Sequence, residues 1–226
     1  MVGVRTDVTL VVLAKEPVPG RVKTRLCPPC SEEQAAAIAA ASLADTLAAV
    51  ARTPARRRVL ALDGEAGWWL PSGFEVMPQR GEGLDERLAA AFEDVAGPAL
   101  LVGMDTPQVT PRLLARAART LGSPGVDAVL GPAADGGWWA AGLRHPDPAA
   151  FLGVPMSTSE TGRRQRERFA DLGLRCRWLP RLRDVDRFED ALAVAAVAEG
   201  SRFAAGVSSA SEAIRSRDLV PEEVHV

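Results

Sequence analysis

The sequence predicts an α/β fold: a single domain with a mostly parallel central sheet and helices on both faces. Short apolar segments alternate with helical segments along the whole chain, which is the pattern of parallel βαβ units. The length of 226 residues fits one medium domain. A hydrophobic content of 47% and a charged content of 25% are typical of a globular protein with a sizeable core.

The first half of the chain contains three predicted strands and two predicted helices. Ser31 and Gln34 form a capping box that begins an alanine-rich helix ending near residue 50. Apolar residues at helical spacing predict a second helix over 83–95. The segment 68–73 is interpreted as a loop or short helix. The strands are predicted at 9–13, 58–62 and 74–77.

The second half continues the alternation of strands and helices. Thr110 and Pro111 begin a helix that ends near residue 121, since proline suits the first helical position. After residue 200 the apolar pattern weakens. We therefore expect a domain at 1–199 and a C-terminal tail at 200–226 that is mobile or holds a short helix near 211–216. Strands are predicted at 98–104, 127–130, 137–143 (edge-like) and 174–179, with helices at 160–172 and 186–198.

Charge and composition argue against several classes of partner. The formal net charge is −2, which favours neither a nucleic-acid surface nor a membrane surface. No uninterrupted apolar run approaches the ~20 residues that span a bilayer. The first residues lead directly into the first strand and leave no room for a signal peptide. We expect a cytoplasmic protein, and the sequence leaves its oligomeric state open, a homo-oligomer included.

Cys27 and Cys30 form a CxxC pair, which is found in redox sites and zinc sites. A tetrahedral zinc ion needs about four ligands, and the other candidates, Cys176, His145 and His225, are distant in sequence. We therefore expect two incidental thiols. With only two histidines, a Ser-His or Cys-His nucleophile is also disfavoured.

The two lysines of the chain, Lys15 and Lys23, lie in one loop after the first strand. The other 25 of the 27 basic residues are arginine. Gly20, Arg21 and Arg25 belong to the same loop. Lysine binds phosphate as a point charge and arginine as a planar fork, so the loop is a candidate phosphate site. A solvated basic turn is the alternative.

Carboxylates follow three other predicted strands, at Asp105, at Asp135 and at the pair Asp184 and Asp186. Ligands of open α/β sheets bind beyond the carboxyl ends of the strands. Carboxylates and cations at one edge suit a polyphosphate with Mg²⁺ or Mn²⁺. The alternative is that each aspartate caps the following helix, Asp186 above all.

Further candidates surround these strand ends. Gly136 and Gly137 allow a close approach of backbone to a ligand, and Trp138 is a candidate for stacking on a base or sugar ring, although packing in the core is the alternative for it or Trp139. Arg87 follows a glycine-containing turn that ends at Gly83 and is placed to reach the nucleotide or to solvate its helix.

Six segments in this order resemble the radical-SAM/selenodomain-associated transferase family. The segments are AKEPVPGRVKTRL, QRGEGLDERLAAAF, VGMDTPQVT, GPAADGGWWAAGL, VPMST and LRDVDRFEDAL. That family is a branch of the GT-A superfamily, similar to molybdenum-cofactor nucleotidyltransferases and phospholactate guanylyltransferases. The resemblance implies a GT-A-like Rossmannoid domain that binds a nucleotide and a divalent metal.

The resemblance also implies roles for individual residues. Asp105 and Asp186 would hold Mg²⁺ or Mn²⁺, and Lys15, Lys23 and Arg25 would be catalytic. The acceptor side would be formed by Asp135, Gly136, Gly137, Trp138, Ser157 and Thr158. The loop that contains Gly20 and Arg21 would hold the nucleotide phosphates. Apart from the resemblance, we expect the nucleotide to contact Ala14, Gly83 and Arg87 as well.

The chain departs from the family in three places. Tryptophans 138 and 139 stand where tyrosines are usual, Cys27 and Cys30 lie in a stretch that usually lacks cysteine, and the tail is longer.

Three functions compete on these residues. The leading hypothesis is transfer of an NMP group from an NTP to a small phosphorylated acceptor with release of pyrophosphate, because four cations on one loop suit three phosphates. The second is glycosyl transfer from a nucleotide-sugar, with Asp135 as base. The third is a nucleotide-binding module without catalysis.

Overall fold

One mixed sheet of seven strands organises the molecule. The structure, a computed structural model, describes residues 7–218. The strand order is β3-β2-β1-β4-β6-β5-β7, and only β6 runs antiparallel to its neighbours. The strands are β1 (Thr9–Lys15), β2 (Arg58–Asp63), β3 (Glu75–Pro78), β4 (Ala99–Gly103), β5 (Ala128–Pro132), β6 (Trp138–Leu143) and β7 (Cys176–Trp178).

The central strands are buried on both faces, as parallel sheets require. In β1, Leu10 and Val12 face one apolar cluster and Val11 faces the other. In β4, Leu100 and Leu101 divide in the same way. Each face must therefore be covered by helices.

Within residues 7–218 the structure has six α-helices, two of which begin at the caps that the sequence predicts. They are α1 (Glu32–Ala51), α2 (Leu84–Val95), α3 (Pro111–Gly122), α4 (Thr161–Asp171), α5 (Phe188–Val197) and α6 (Arg202–Asp218). The predicted capping box of α1 is present, since Ser31 Oγ accepts from Gln34 N at 3.2 Å and Gln34 Oε1 from Ser31 N at 2.8 Å. Thr110 caps α3 through Leu113 N. Helices α1 and α3 cover one face of the sheet, and α2 and α4 cover the other. The α/β prediction is confirmed.

The C-terminal segment forms a longer helix than the sequence indicates. Helix α6 packs on α1 and α5, and Phe203 and Val207 are fully buried there with Leu26 and Ile38. Residues 202–218 thus belong to the packed structure, whereas residues 219–226, with His225, lie outside the described residues.

The prediction that 137–143 is edge-like is wrong. Strand β6 lies between β4 and β5 and is paired with both. Its position demands small side chains: a Cβ on Gly142 would lie 2.7 Å from Val129 Cγ2. The short strands β3 and β7 take the edges.

One helix within residues 7–218, α1, is long and apolar enough by length and composition to cross a membrane. Packing within the fold also explains this apolar composition, because 72% of the apolar window is buried inside the molecule. It is the core helix on which both β1 and α6 pack.

The packing of α6 leads to a stability prediction. Phe203→Ala should lower the free energy of unfolding by about 3–5 kcal/mol, because it empties a fully buried ring position. Urea denaturation measures the change. Val197→Ala, at a residue that is 73% exposed, is the control and should stay within about 0.5 kcal/mol of wild type. A Phe203→Ala loss as small as that of the control would contradict the docking of α6.

Candidate active site

A cleft of about 590 Å³ opens at the carboxyl ends of β1 and β4. This is the edge at which open α/β sheets bind ligands. The basic loop after β1, the turn between β5 and β6 and the loop before α5 all reach it. The predicted site residues that line it are Ala14, Lys15, Arg21, Lys23, Arg25, Arg87, Asp105, Asp135, Gly137, Trp138, Ser157, Thr158 and Asp186.

The three other predicted residues, all glycines, are not among the lining residues. Gly136 supports the wall from behind: its φ is 92°, its carbonyl accepts from Gly162 N at 2.8 Å, and an added Cβ would lie 2.0 Å from Ser159 O. Gly20 makes a turn with φ of 74°. Gly83 precedes α2 and accepts from Arg87 N. These glycines shape the backbone around the cleft.

Lys23 and Asp105 form an ion pair at the centre of the cleft. Lys23 Nζ lies 2.7 Å from Asp105 Oδ1, and the lysine side chain is only 11% exposed. The ammonium also donates to Val185 O. Lys23 has a φ of 51°, in the left-handed region that costs a non-glycine residue energy and is found at functional sites. The fold thus aims the second lysine at the carboxylate after β4.

Arg25 and Asp186 form a second, more exposed pair, with Arg25 Nη1 2.7 Å from Asp186 Oδ2. Asp186 does not cap α5, because that helix begins at Phe188 and the Arg187 N–H bonds Asp190 Oδ2 instead. The capping alternative for Asp186 is therefore wrong. Its assignment as a metal ligand stays a prediction, and its carboxylate is already held by an arginine.

Asp184 is the half-buried carboxylate of the loop before α5. Burial, above all, and the nearby Asp135 and Asp105 together raise its pKa to about 6, while Lys23 acts in the opposite direction. The loop is held at the end of β4, because Val185 N donates to Asp105 O at 2.9 Å. The geometry thus places Asp184, which the sequence left open against Asp186, in the field of the central ion pair.

The two tryptophans at the start of β6 have different environments. Trp139 is buried, and its Nε1 donates to Pro180 O at 2.9 Å. Trp138 lines the cleft and packs on Phe151, with ring centroids 6.3 Å apart. Its Nε1 is buried and, within residues 7–218, has no hydrogen-bond partner. Trp138 is therefore the tryptophan available to a ligand.

The basic residues of the cleft differ in their pairing. Arg87 Nη1 lies 2.9 Å from Asp63 Oδ2, and its Nε donates to Gly81 O. Lys23 and Arg25 are paired as described. Among the residues that the structure describes, neither Lys15 nor Arg21 has an ion-pair partner. These two are the cations most directly available to a phosphate.

The carboxylates of the cleft provide the oxygen ligands for a divalent cation only together with a nucleotide. Within residues 7–218 no three Asp, Glu, His or Cys side chains form a ready-made metal cluster. Mg²⁺, however, is commonly bound by one or two carboxylates together with water and substrate phosphate. Asp105 with the nearby Asp184 supplies such a hard oxygen pair, and the Lys23 ammonium already neutralises Asp105. The donor set fits Mg²⁺ or Mn²⁺ bound together with a nucleotide.

The cysteine pair shows no sign of a reactive site. Burial raises the pKa of both the Cys27 and Cys30 thiols, which disfavours thiolates, and both cysteines are free. Cys30 packs in the cluster under α6. His145 is exposed, in the loop that follows β6.

Sequence reasoning missed several lining residues. Gln79 comes directly after β3, and its Nε2 donates to Ala14 O at 2.7 Å, which fixes the end of β1. Its place after a strand was a usable signal. The other missed polar residues, Thr24, Glu82 and Thr161, carry no such signal.

Comparisons with known proteins agree with this fold. A family model described as "Uncharacterized protein conserved in bacteria (DUF2064)" matches residues 37–158. None of the curated proteins matches the chain significantly. A "putative nucleotide-diphospho-sugar transferase" from Desulfovibrio desulfuricans G20 superposes with a TM-score of 0.81 at 26% identity, over 93% of this chain and 98% of that one.

Two further solved structures share the fold at lower identity. CMP:2-keto-3-deoxy-manno-octonic acid synthetase in complex with CTP has a TM-score of 0.56 and 12% identity, over 85% of this chain and 98% of that one. A 4-diphosphocytidyl-2C-methyl-D-erythritol synthase has a TM-score of 0.50 and 13% identity, over 86% and 99%. The predicted GT-A-like fold, that of nucleotide-diphospho-sugar transferases, is confirmed.

The raised pKa of Asp184 leads to a pH prediction. A carboxyl whose pKa is higher in the folded chain binds its proton more tightly when folded, so the contribution of Asp184 to stability falls as pH rises from about 4 to about 6. Asp184→Asn removes that loss. In metal-free buffer we expect the variant to gain stability relative to wild type over this interval, on the order of 1 kcal/mol after solvent screening.

Urea denaturation at pH 4.5 and pH 7.5 measures this difference. Asp171→Asn, at an exposed position of α4, is the matched control and should show no such pH dependence. A difference between Asp184→Asn and wild type that is equal at both pH values would contradict the assignment.

Proposed function

This chain belongs to the DUF2064 family of bacterial proteins, and we propose that it is a metal-dependent transferase that moves a glycosyl group from a nucleotide-diphospho-sugar. The observation that carries the proposal is the meeting of a two-lysine loop and Asp105 in one cleft, 2.7 Å apart. Cations for phosphate and a carboxylate for a metal are thus in reach of one polyphosphate. The likeness to the Desulfovibrio protein supports the same class.

Two of the four cations on the loop are already paired in the structure. The sequence hypothesis of NTP chemistry counted four free cations on the loop. In the structure, Lys23 and Arg25 are paired with Asp105 and Asp186, which leaves Lys15 and Arg21 unpaired among the described residues. Lys15 and Arg21 therefore meet the diphosphate of a nucleotide-sugar first, and Lys23 joins them when it leaves Asp105.

The residues of this chain then have distinct roles. Lys15 and Arg21 bind the diphosphate, and Lys23 moves from Asp105 to the phosphates when the nucleotide enters. Asp105 and Asp184 would hold the divalent metal, which when bound neutralises charge on the departing diphosphate. Trp138 borders the transferred sugar. Catalysis rests on positioning and charge stabilisation rather than on a covalent enzyme intermediate.

The transfer step balances without another reactant. The oxygen of an acceptor hydroxyl forms a bond to the anomeric carbon of the donor, and the bond from that carbon to the diphosphate oxygen breaks. The hydroxyl proton passes to the Asp135 carboxylate, whose Oδ1 is oriented by Gly137 N at 2.7 Å. The products are a glycoside and a nucleoside diphosphate.

Transfer of an NMP group from an NTP is the second candidate. The same release of Lys23 from Asp105 also supports this reaction, because three cations on one loop suit a triphosphate. The sequence resemblance to molybdenum-cofactor nucleotidyltransferases and phospholactate guanylyltransferases points the same way. In this reaction the acceptor attacks the α-phosphate and pyrophosphate leaves.

Titration calorimetry with product analysis separates these functions. UDP- and GDP-sugars should bind in the presence of Mg²⁺ or Mn²⁺ and slowly release nucleoside diphosphate. Tight binding of NTPs alone, with release of pyrophosphate, would replace the proposal by the second candidate. Metal-independent binding without any turnover would indicate a nucleotide-binding module.

Asp105→Asn tests the metal role. The variant should lose at least about tenfold in nucleotide affinity when Mg²⁺ is present and little when it is absent, because the lost interaction acts through the metal. Calorimetry with and without EDTA measures both. Asp171→Asn, outside the cleft, is the control and should bind as wild type does. Unchanged affinity of Asp105→Asn with Mg²⁺ would contradict the role.

Lys23→Met tests the exchange of partners at Asp105. Without nucleotide, the variant should bind Mn²⁺ at least about threefold more tightly, because a competing ammonium is gone. The variant should also bind a nucleoside diphosphate more weakly than wild type does. Free Mn²⁺ measured by electron paramagnetic resonance reports the first effect, and calorimetry reports the second.

Lys15→Met is the matched variant for this comparison. It removes the same charge from the same cleft without touching Asp105, and it should raise Mn²⁺ affinity less. Equal Mn²⁺ affinities of Lys23→Met and wild type would rule out the exchange.

A further inference from the structure

The cleft is divided by charge into two sides. All its basic lining residues within 7–218 come from β1, the loop after it and α2. The other side comes from the β5–β6 turn, the segment before α4 and the loop before α5. Among the described residues, no lysine or arginine lines this side. The side chains that line it are Asp135, Trp138, Met156, Ser157, Thr158, Thr161, Asp184 and Asp186.

Two basic residues reach that side, and both are already paired. Lys23 donates to Val185 O and bonds Asp105. The Arg25 guanidinium bonds Asp186 at 2.7 Å, and its field also reaches Asp135. Asp135 has no ion-pair partner within residues 7–218, whereas Asp184 would be occupied by the metal. A phosphate group bound here would lie beside the unpaired Asp135 carboxylate, and like charges in one site are costly.

The same side offers groups that recognise hydroxyls. The Trp138 ring lines this side and can pack on the apolar face of a sugar ring, while its Nε1 is buried away from the cleft surface. The carboxylates accept hydrogen bonds from hydroxyl or ammonium groups. Ser157, with a φ of 59°, is held in a strained conformation at this wall.

We propose that the acceptor is an uncharged or amine-bearing hydroxyl compound, such as a sugar or polyol, and not a phosphorylated one. The proposal rests on the proposed function for the identity of this side as the acceptor side. It replaces the phosphorylated acceptor of the leading sequence hypothesis. Charge thus assigns phosphate to one side of the cleft and hydroxyls to the other.

The local charge can be measured without knowledge of the acceptor. In a Trp68→Phe, Trp178→Phe variant, Trp138 is the remaining partly exposed tryptophan, since Trp68 and Trp178 are 75% and 51% exposed and Trp69 and Trp139 are buried. Caesium should quench its fluorescence more than iodide does, with each quencher normalised to neutral acrylamide. Adding Asp135→Asn should lower the caesium-to-iodide ratio, and adding Asp171→Asn should not.

Matched acceptor pairs give the chemical test. Glycerol with glycerol 3-phosphate, and glucose with glucose 6-phosphate, are added to the wild-type protein with a nucleotide-sugar and Mg²⁺. Neutral members should accelerate release of nucleoside diphosphate at least about threefold more than their phosphorylated partners. Faster release with a phosphorylated member, or stronger quenching by iodide, would overturn the inference.

The two proposals fail in different ways. Absence of nucleotide-sugar binding would refute the proposed function, while the quenching ratio would still report the charge of the wall. Binding and turnover of the nucleotide-sugar together with a preference for phosphorylated acceptors would refute the inference and leave the proposed function standing.

Discussion

The ion pair between Lys23 and Asp105 joins the two halves of the cleft. It connects the loop after β1 to the end of β4, and the Lys23 bond to Val185 O brings in the loop before α5. A largely buried lysine and a left-handed backbone are both unfavourable for stability alone. The proposed exchange of Lys23 from Asp105 to a phosphate gives both features a functional reason.

The topology explains why these groups meet. Parallel strands β1 and β4 deliver the basic loop and Asp105 to one edge of the sheet. Strand β5 ends at the same edge, and the antiparallel β6 starts there, so Asp135 and Trp138 flank one turn. Reversal of one strand therefore adds an acidic and aromatic wall opposite in charge to the basic loop.

Local signals in the sequence were reliable where they concern a few neighbouring residues. Ser31 and Gln34 specify the start of α1, and Thr110 with Pro111 specifies the start of α3, because the capping atoms lie within one turn. The proximity of Lys23 and Asp105 could also be predicted, because the carboxyl ends of parallel strands lie at the same edge of the sheet.

Features that depend on contacts between distant residues could not be predicted from the sequence. The internal position of β6 depends on pairing with β4, which residues 138–143 do not encode locally. Asp186 is paired with Arg25, which lies far from it in sequence. The hydrogen bond from Val185 N to Asp105 O brings Asp184 close to the Lys23–Asp105 pair. Helix α6 did carry a signal, since Phe203, Val207 and Ala210 recur at helical spacing, but serines between them diluted it.

The account depends on the exchange at Asp105, where a divalent metal replaces the Lys23 ammonium when a nucleotide binds. The most direct measurement is an anomalous difference map from a crystal grown with Mn²⁺ and a nucleoside diphosphate. We expect a manganese peak beside the Asp105 carboxylate, with the Lys23 ammonium moved onto a phosphate oxygen. A map in which Lys23 stays on Asp105 and no manganese lies between Asp105 and the diphosphate would contradict this account.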